Sequence, residues 1–251
     1  MIWQETKEEL GKEITRLLYE KGLIKTWYRD NPNGWTLISG LWSPFYIQLR
    51  PLASYPKLLR RVGYALGEII KEECKAVNKV VGVAMTGIPI ACTLEGDLPA
   101  LWTRKIGARS LDEFKKNIHR YGEHTLVEGE LENGDLIAVI DDLATKFDSK
   151  LVAIEQINYE TKKRGLKVEC NDVVVLLDRE QGAADVASRY GISFHSLIPF
   201  KSKGVKWLKT ALSEIEYEVI TEYLRDDEKY QDAVVQKELY ELVKLRHKSS
   251  M

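Results

Sequence analysis

Apolar residues recur every three or four positions near the start of the chain, which is the spacing of one helix face. The first such segment carries Leu10, Ile14, Leu17 and Leu18 and is followed by Gly22, a residue type that commonly ends helices. A second helix is predicted to begin after Ser54 as N-cap, with Pro56 in its first turn, and to end near Glu73. The Trp- and Pro-rich stretch between them, residues 27–50, is interpreted as loops and short extended pieces.

Short runs of β-branched and apolar residues replace the helical pattern between residues 79 and 198. The runs are KVVGVA, LPALW, LIAVI, VVVLL and ISFHSLI. Their nearly continuous apolarity is typical of strands that are buried on both faces. Helices are predicted over 149–164, ending at Gly165, and over 182–190, ending at Gly191. This alternation predicts an α/β fold with a mainly parallel sheet flanked by helices and right-handed crossovers.

The last fifty residues change character again and predict a C-terminal helical extension over 201–251. One amphipathic helix is predicted from Leu208, Leu212, Ile215, Val219 and Tyr223, and another from Leu239, Leu242 and Leu245. We expect these helices to pack on the α/β core or on a partner subunit. The chain is therefore divided into residues 1–50, a core of residues 51–200, and residues 201–251.

Composition and charge exclude several classes of protein. The 251 residues include 37 basic and 38 acidic side chains, and the net charge of −1 provides no global attraction for nucleic acid or anionic lipid. No basic stripe or helix-turn-helix pattern suggests a DNA-binding regulator. The cysteines Cys74, Cys92 and Cys170 are far apart and form no CxxC pair, which argues against a disulfide framework or a structural zinc site. A charged N-terminus and the absence of a long unbroken apolar stretch predict a cytoplasmic protein without a membrane partner.

Two adjacent acids, Asp141 and Asp142, follow the apolar run LIAVI. Such a pair can accept hydrogen bonds from neighbouring ribose hydroxyls, orient magnesium-bound water, or only cap a turn. Downstream, Ser149 is predicted to open a helix whose N–H groups and dipole suit an anion. Two residues argue against an anion site at this helix start. Asp148 adds negative charge, and Phe147 is not expected to adopt easily the positive φ that glycine supplies.

Several segments resemble type I phosphoribosyltransferases, and orotate phosphoribosyltransferases in particular. LIAVIDDLATKFDS resembles the phosphoribosyl-diphosphate motif, and VVGVAMTGIPIA resembles the pyrophosphate loop. WTLISGLWSPFYIQLR resembles the N-terminal substrate segment, VVVLLDREQGAADVASRYGISFHSL the strand, turn and helix that complete the site, and HRYGEHTLVEG the end of the catalytic loop. The resemblance runs in family order over residues 34–196 and implies the Rossmann-like fold of this family, with a substrate hood in residues 1–50.

The resemblance implies transfer of ribose 5-phosphate from phosphoribosyl diphosphate to orotate, which gives orotidine 5′-monophosphate and pyrophosphate in pyrimidine biosynthesis. It also implies Mg²⁺, held mainly by substrate oxygens and through water by Asp141 or Asp142, and a homodimer. By the match these two acids bind the ribose hydroxyls. The other implied substrate contacts are Ala144, Thr145, Lys146 and Ser149 for the 5′-phosphate, Thr86 and Gly87 for pyrophosphate, Arg179 for orotate, and Phe45 and Tyr46 for the base.

The catalytic loop of the family would open at Arg104 and Lys105 and close as a lid over residues 104–122. About ten more residues stand in this segment than the family pattern contains. Lys115 and Lys116 are therefore assigned the role of facing pyrophosphate, and His119 stands where a later lysine is expected. All five are candidate catalytic residues together with the acid pair.

Two departures from the family pattern keep other functions open. Lys146-Phe147-Asp148 replaces a Thr-Gly-Gly sequence, and Ile38 replaces a lysine in the substrate segment. Loss of one charge-assisted contact costs on the order of 1.5–3 kcal/mol. One alternative is accordingly a non-catalytic nucleotide-binding relative that regulates or scaffolds a partner. The other is a phosphoribosyltransferase that acts on a different base.

Overall fold

The computed structural model describes residues 2–108, 110–121 and 124–249, without the side chains of residues 119, 121 and 245–249. The chain forms two compact units. The first contains Met1–Ile14 and Leu52–Phe200, and the second contains Thr15–Pro51 and Lys201–Met251. The predicted division at residues 50 and 200 along the chain stays a prediction.

The elements of the described residues alternate as the sequence predicts. The strands are β1 (Ile24–Thr26), β2 (Trp35–Thr36), β3 (Trp42–Ser43), β4 (Phe45–Ile47), β5 (Lys79–Gly82), β6 (Ala100–Thr103), β7 (Val127–Glu128), β8 (Leu136–Ala144), β9 (Glu169–Asp178) and β10 (Ser193–Pro199). The α-helices are α1 (Trp3–Glu20), α2 (Pro56–Glu73), α3 (Gly87–Ala91), α4 (Leu111–Tyr121), α5 (Asp148–Arg164), α6 (Ala183–Arg189), α7 (Val205–Trp207), α8 (Glu214–Arg225) and α9 (Ala233–Ser249). Shorter 3-10 or π turns cover Arg50–Ser54, Phe200–Gly204 and Glu228–Gln231.

The first unit is built around a six-stranded sheet of order β10-β9-β8-β5-β6-β7. Its strands are parallel except for β7, which pairs antiparallel with β6. The central strands are buried on both faces, as their continuous apolar sequences predict; Val139 and Val174, for example, have no exposed surface. The prediction of a mainly parallel α/β fold is confirmed.

The predictions of the N-cap of α2 and of one continuous helix from Leu208 to Tyr223 are wrong. Ser54 does not cap α2, because it belongs to the 3-10 turn and Tyr55 precedes the helix without a side-chain cap bond. The single helix predicted from Leu208 to Tyr223 is interrupted, since Ser213 starts a new helix. Its hydroxyl accepts from the backbone N–H of Glu216, whose carboxylate accepts from the backbone N–H of Ser213. This capping box stabilises a helix start that apolar periodicity alone does not reveal.

The second unit joins the N-terminal loops and the C-terminal helices in one core. Small antiparallel pairs form between β1 and β4 and between β2 and β3. Buried Glu216 accepts a hydrogen bond of 2.5 Å from Thr26 Oγ1, and Trp42 stacks on Tyr230 with ring centroids 6.4 Å apart. Within the described part of the chain, no helix combines the length and the apolarity that crossing a membrane requires.

Candidate active site

The carboxyl ends of β5, β8 and β9 meet at one edge of the sheet, where ligands bind in open α/β folds. Backbone hydrogen bonds tie the segments that leave these strands. The Val83 N–H donates to the Ile140 carbonyl at 2.9 Å, and the Arg179 N–H donates to the Ala144 carbonyl at 3.0 Å. Three of the segments that carry predicted site residues are therefore adjacent in space.

The acid pair lies within the last four residues of strand β8 rather than after the strand, since β8 continues to Ala144. Asp141 is only 6% exposed, and its Oδ2 lies 2.8 Å from the ammonium group of Lys150, which is itself 3% exposed. Lys150 also donates to the Leu143 carbonyl and, at 3.2 Å, to Ser149 Oγ. The charge of Asp141 is thus neutralised inside the protein.

Asp142 lies in a different electrostatic environment from Asp141. Burial, followed by the negative charge of neighbouring Asp141, raises the pKa of Asp142 to about 7, and the Lys150 ammonium only partly opposes this. Its backbone N–H donates to Asp141 Oδ1 at 2.9 Å. Since Lys150 pairs with Asp141, Asp142 is the half-buried acid that remains for an incoming hydroxyl or cation.

Residues 145–149, here called the Phe147 loop, join β8 to α5 without a glycine. Phe147 has φ of 75°, so the expectation that it would not easily adopt a left-handed conformation is wrong. Its ring is 2% exposed and meets Phe194 edge to face, with centroids 5.4 Å apart. Burial of the ring stabilises a backbone conformation that a glycine reaches without help. The helix α5 begins at Asp148, one residue before the predicted start.

The first turn of α5 is open to an anion at its amino end, because the first N–H groups of a helix have no partner within it. No side chain caps this end. Lys146 and Asp148 line a cavity of about 580 Å³, whose other walls come from α5, from the start of α4, and from α6 and the residue after it. These remaining lining residues are Ser110, Leu111, Asp112, Leu151, Val186, Arg189 and Tyr190. The Phe147 loop therefore offers one cation and one anion to the same cavity.

Residues 83–87, here called the Gly87 loop, join β5 to α3 and lie against β8. A Cβ atom at Gly87 would be 2.3 Å from the Ile140 carbonyl oxygen, so only glycine fits at this position. The peptide bond between Ala84 and Met85 is cis. Ala84 N–H donates to Thr103 Oγ1 at 3.1 Å, and Thr86 is half-buried. The close approach holds the Gly87 loop beside Asp141.

The turn after β9 is stabilised around Arg179. Asp178 is buried, and its Oδ1 accepts from the Glu180 N–H at 2.8 Å. Burial raises the pKa of Asp178. Glu180 and Gly182 both have positive φ, of 56° and 98°, which makes the turn sharp. Arg179 is half-buried beside the carboxyl end of β8.

The predicted lid contains a helix that packs on α5. Phe114 on α4 is fully buried with Leu126 and Val152. Lys115 Nζ lies 3.9 Å from Glu155 on α5, and Lys116 is exposed. The side chain of Lys115 thus lies near α5 in this structure. The role predicted for His119 concerns a residue outside the described side chains.

The remaining candidates of the lid and hood lie in different surroundings. Arg104 Nε is 3.8 Å from Glu128, and Lys105 is exposed. In the second unit, Phe45 is buried edge to face against Tyr223, so its ring is part of that unit's core. Tyr46 is more exposed and stacks on Trp35 with centroids 6.0 Å apart. Lys150 is the site residue that sequence reasoning missed.

Known proteins with similar sequences and known structures with a similar fold both exist. No family model matches the chain. It is 30% identical over 191 residues to an orotate phosphoribosyltransferase of Pyrococcus furiosus, covering 75% of this chain and 92% of the relative. It is also 30% identical over 195 residues to the enzyme of that name from Methanothermobacter thermautotrophicus, covering 78% and 93%. The crystal structure of orotate phosphoribosyltransferase from Aeropyrum pernix has a similar fold, with a TM-score of 0.59, 24% identity, and coverage of 79% of this chain and 97% of that chain.

Proposed function

Since the chain belongs to the orotate phosphoribosyltransferase family, we propose that it transfers ribose 5-phosphate from phosphoribosyl diphosphate to orotate, forming orotidine 5′-monophosphate and pyrophosphate. The observation that carries this proposal is the acid pair of β8, which lies between a glycine loop and an open helix end at one edge of the sheet. This arrangement can bind a pentose with an anionic group on either side of it.

In the proposed reaction the bond from C1 of ribose to pyrophosphate breaks as the bond to the orotate nitrogen forms, and the proton of that nitrogen leaves to the pyrophosphate or to solvent. Negative charge grows on the leaving group and positive charge on the ribose ring, and the site accelerates the step by stabilising both. Ionised Asp142 accepts hydrogen bonds from the ribose hydroxyls and faces the growing positive charge. Lys150 is a positioning residue, because it fixes Asp141 and limits the negative charge of the pair to about one unit.

The anionic ends of the substrate are assigned to the two loops. The Gly87 loop, including Thr86, presents its backbone to pyrophosphate, where the absence of a side chain allows close approach. The first N–H groups of α5, with Thr145, Lys146, Ser149 and the backbone of Ala144, receive the 5′-phosphate. Arg179 is assigned to orotate because its planar guanidinium group suits a carboxylate.

Magnesium fits the residues at this edge of the sheet. Carboxylate oxygens are ligands that Mg²⁺ prefers, usually with several retained waters. Because Asp141 is paired with Lys150, Asp142 is the acid that would hold such a hydrated ion together with substrate oxygens. When bound, the ion supplies positive charge that neutralises the pyrophosphate.

A homodimer is part of the proposal, with the lid residues Arg104, Lys105, Lys115, Lys116 and His119 acting on the pyrophosphate. Closure of such a segment would exclude water from a reactive ring cation. Since Lys115 lies near Glu155 on α5, the proposed role requires α4 to move when substrate binds. Sedimentation at several protein concentrations tests the dimer, and a monomer at all of them would remove this part of the proposal.

The direct test is an assay with phosphoribosyl diphosphate, Mg²⁺ and orotate, with uracil and purine bases in parallel. We expect orotidine 5′-monophosphate from orotate and no nucleotide from the other bases. Asp142→Asn should lose activity, whereas Asp97→Asn, which changes an exposed acid in the segment that precedes β6, should keep it. Folded protein that binds orotidine 5′-monophosphate but never turns over would support a non-catalytic relative, and nucleotide from another base would overturn the assignment to orotate.

A further inference from the structure

A second polar cluster lies at the opposite edge of the sheet, near the amino ends of β9 and β10 and the carboxyl end of α2. It contains Cys74, which directly follows α2, Asp172 on β9 and His195 on β10. The sulfur of Cys74, a carboxylate oxygen of Asp172 and a ring nitrogen of His195 all lie within 4.8 Å of one another. None of these residues takes part in the function proposed above.

The imidazole of His195 is held in the orientation that metal-binding histidines usually have. Its Nδ1 lies 3.1 Å from Glu73 Oε2, and its Nε2 lies 3.0 Å from Asp172 Oδ1. A carboxylate that accepts from one ring nitrogen fixes the tautomer and leaves the other nitrogen for a metal. Glu73 therefore directs Nε2 toward Asp172 and Cys74.

Charge within the cluster also suits a dication. Lys7 Nζ donates to both Glu73 oxygens, at 2.8 and 3.0 Å, and Trp3 Nε1 donates to Oε1 at 2.8 Å. Since Lys7 balances Glu73, the carboxylate of Asp172 and a thiolate of Cys74 would together supply two negative charges for a metal ion. The side chains of Asp172 and His195 are 14% and 13% exposed, so an ion can reach them from solvent.

We propose that Cys74, Asp172 and His195 bind a divalent transition metal of the Zn²⁺ class, with water in a fourth position and Glu73 as the residue that orients the imidazole. Zn–S and Zn–N distances are about 2.3 and 2.0 Å, so ligand atoms around one ion lie roughly 3 to 4 Å apart. The observed separations require only a small closing movement. One soft and two harder ligands favour Zn²⁺ or Co²⁺ over Mg²⁺.

Binding replaces protons with the metal. The thiol proton of Cys74 and any proton on Nε2 of His195 leave to solvent, and the coordinated atoms are then a thiolate and a neutral imidazole. Without a metal, the ring can instead carry two protons and bridge Glu73 and Asp172 as an imidazolium. The metal-bound and metal-free states differ in whether the Cys74 sulfur is coordinated to a metal, which can be measured.

Matched control variants exist on the same strand and elsewhere in the same unit. Cys170 lies two residues before Asp172, and it packs against the hydrophobic cluster that contains Phe147 and Val173. An irregularity in the pairing of β8 with β9 between Leu136 and Ala138 separates the two positions. Cys92 is exposed at the end of α3. Replacing either cysteine by serine therefore leaves the proposed ligands intact.

The test is a Co²⁺ titration of the chelator-treated chain, followed by absorption of the thiolate-to-cobalt charge transfer. We expect one ion per chain, with a signal that Zn²⁺ removes and Mg²⁺ does not. Cys74→Ser should abolish the charge-transfer band, whereas Cys170→Ser and Cys92→Ser should keep it. Glu73→Gln should keep the band and weaken binding by about 10–100-fold.

The wild-type titration decides the proposal even if a variant fails to fold. Absence of a charge-transfer band in the wild-type chain, or a band of equal strength in folded Cys74→Ser, would overturn it. If Cys74→Ser does not fold, His195→Gln provides the second arm, because loss of a ligand should weaken Co²⁺ binding while the sulfur band remains. Unchanged affinity in folded His195→Gln would also contradict the site.

Discussion

The Gly87 loop and the Phe147 loop leave neighbouring parallel strands and flank the same acid pair, yet they are shaped by opposite means. At Gly87 the backbone approaches Ile140 so closely that a side chain has no space. In the Phe147 loop the positive φ belongs to a large residue whose ring is buried against Phe194. The ammonium group of Lys150 adds a second anchor, bound to Leu143 and Asp141.

A tight loop therefore does not need glycine where buried side chains hold its backbone. The Gly87 loop needs glycine because its backbone lies against the Ile140 carbonyl, where a Cβ atom has no space. The Phe147 loop depends on the contacts of Phe147 with Phe194 and of Lys150 with Asp141. A substitution that removes one of these contacts should therefore disrupt the loop even if the new residue favours a turn. Four substitutions test this contrast, in order of decreasing expected effect.

Removal of the Lys150 charge should have the largest effect. Lys150→Met leaves the Asp141 carboxylate buried without its partner, which should lower the free energy of unfolding by about 3–5 kcal/mol. Urea denaturation measures the loss. The double variant Lys150→Met with Asp141→Asn should recover much of the stability, and Lys146→Met, in the Phe147 loop, should change it little. A cost for Lys150→Met no larger than for Lys146→Met would mean that the pair does not anchor the loop.

Replacement of the buried ring should rank second. Phe147→Gly suits the positive φ but removes an aromatic side chain from the core, so we expect a net cost of about 2–4 kcal/mol in unfolding free energy. Phe147→Leu keeps most of the packing and should cost about 1 kcal/mol. Thermal or urea unfolding compares the two variants. If glycine proves as stable as phenylalanine, ring burial is not what holds the loop.

A methyl group in the Gly87 loop should have a smaller effect on stability and a larger one on binding. Gly87→Ala forces the loop away from Ile140, at a cost of about 1–3 kcal/mol. The displaced backbone should also lose its contacts to pyrophosphate, which calorimetry with pyrophosphate and Mg²⁺ can follow. Normal stability together with normal pyrophosphate affinity would contradict the close approach.

The pH dependence contributed by Asp142 should be the smallest of the four effects. Its raised pKa means that the folded state holds a proton that the unfolded carboxyl releases near pH 4, so stability falls as pH rises toward about 7. Between pH 6 and 7 we expect the wild-type chain to lose about 1 kcal/mol relative to Asp142→Asn. Over the same interval kcat/KM should rise, because the ribose contact needs the ionised carboxylate. If the free energy of unfolding changes with pH equally in the wild-type chain and in Asp142→Asn, then Asp142 is not the source of the pH dependence.

The sequence predicts the sheet well because long apolar runs such as β8 and β9 carry their own signal of two-sided burial. It predicts the acid pair and both loops because these are local motifs. It misses Lys150, since a lysine in the first turn of a helix is ordinarily solvated and nothing local indicates burial against Asp141. The cluster of Cys74, Asp172 and His195 is likewise invisible to spacing rules, because three separate elements bring together residues that lie far apart in the chain.

The Phe147 loop and the amino end of α5 are proposed to receive a 5′-phosphate without a glycine. The most direct measurement compares the affinities of the wild-type chain for orotidine 5′-monophosphate and for orotidine, which differ only in that phosphate. Because charge-assisted hydrogen bonds contribute on the order of 1.5–3 kcal/mol each, the monophosphate should bind at least about tenfold more tightly. Equal affinity for the two ligands would contradict the claim.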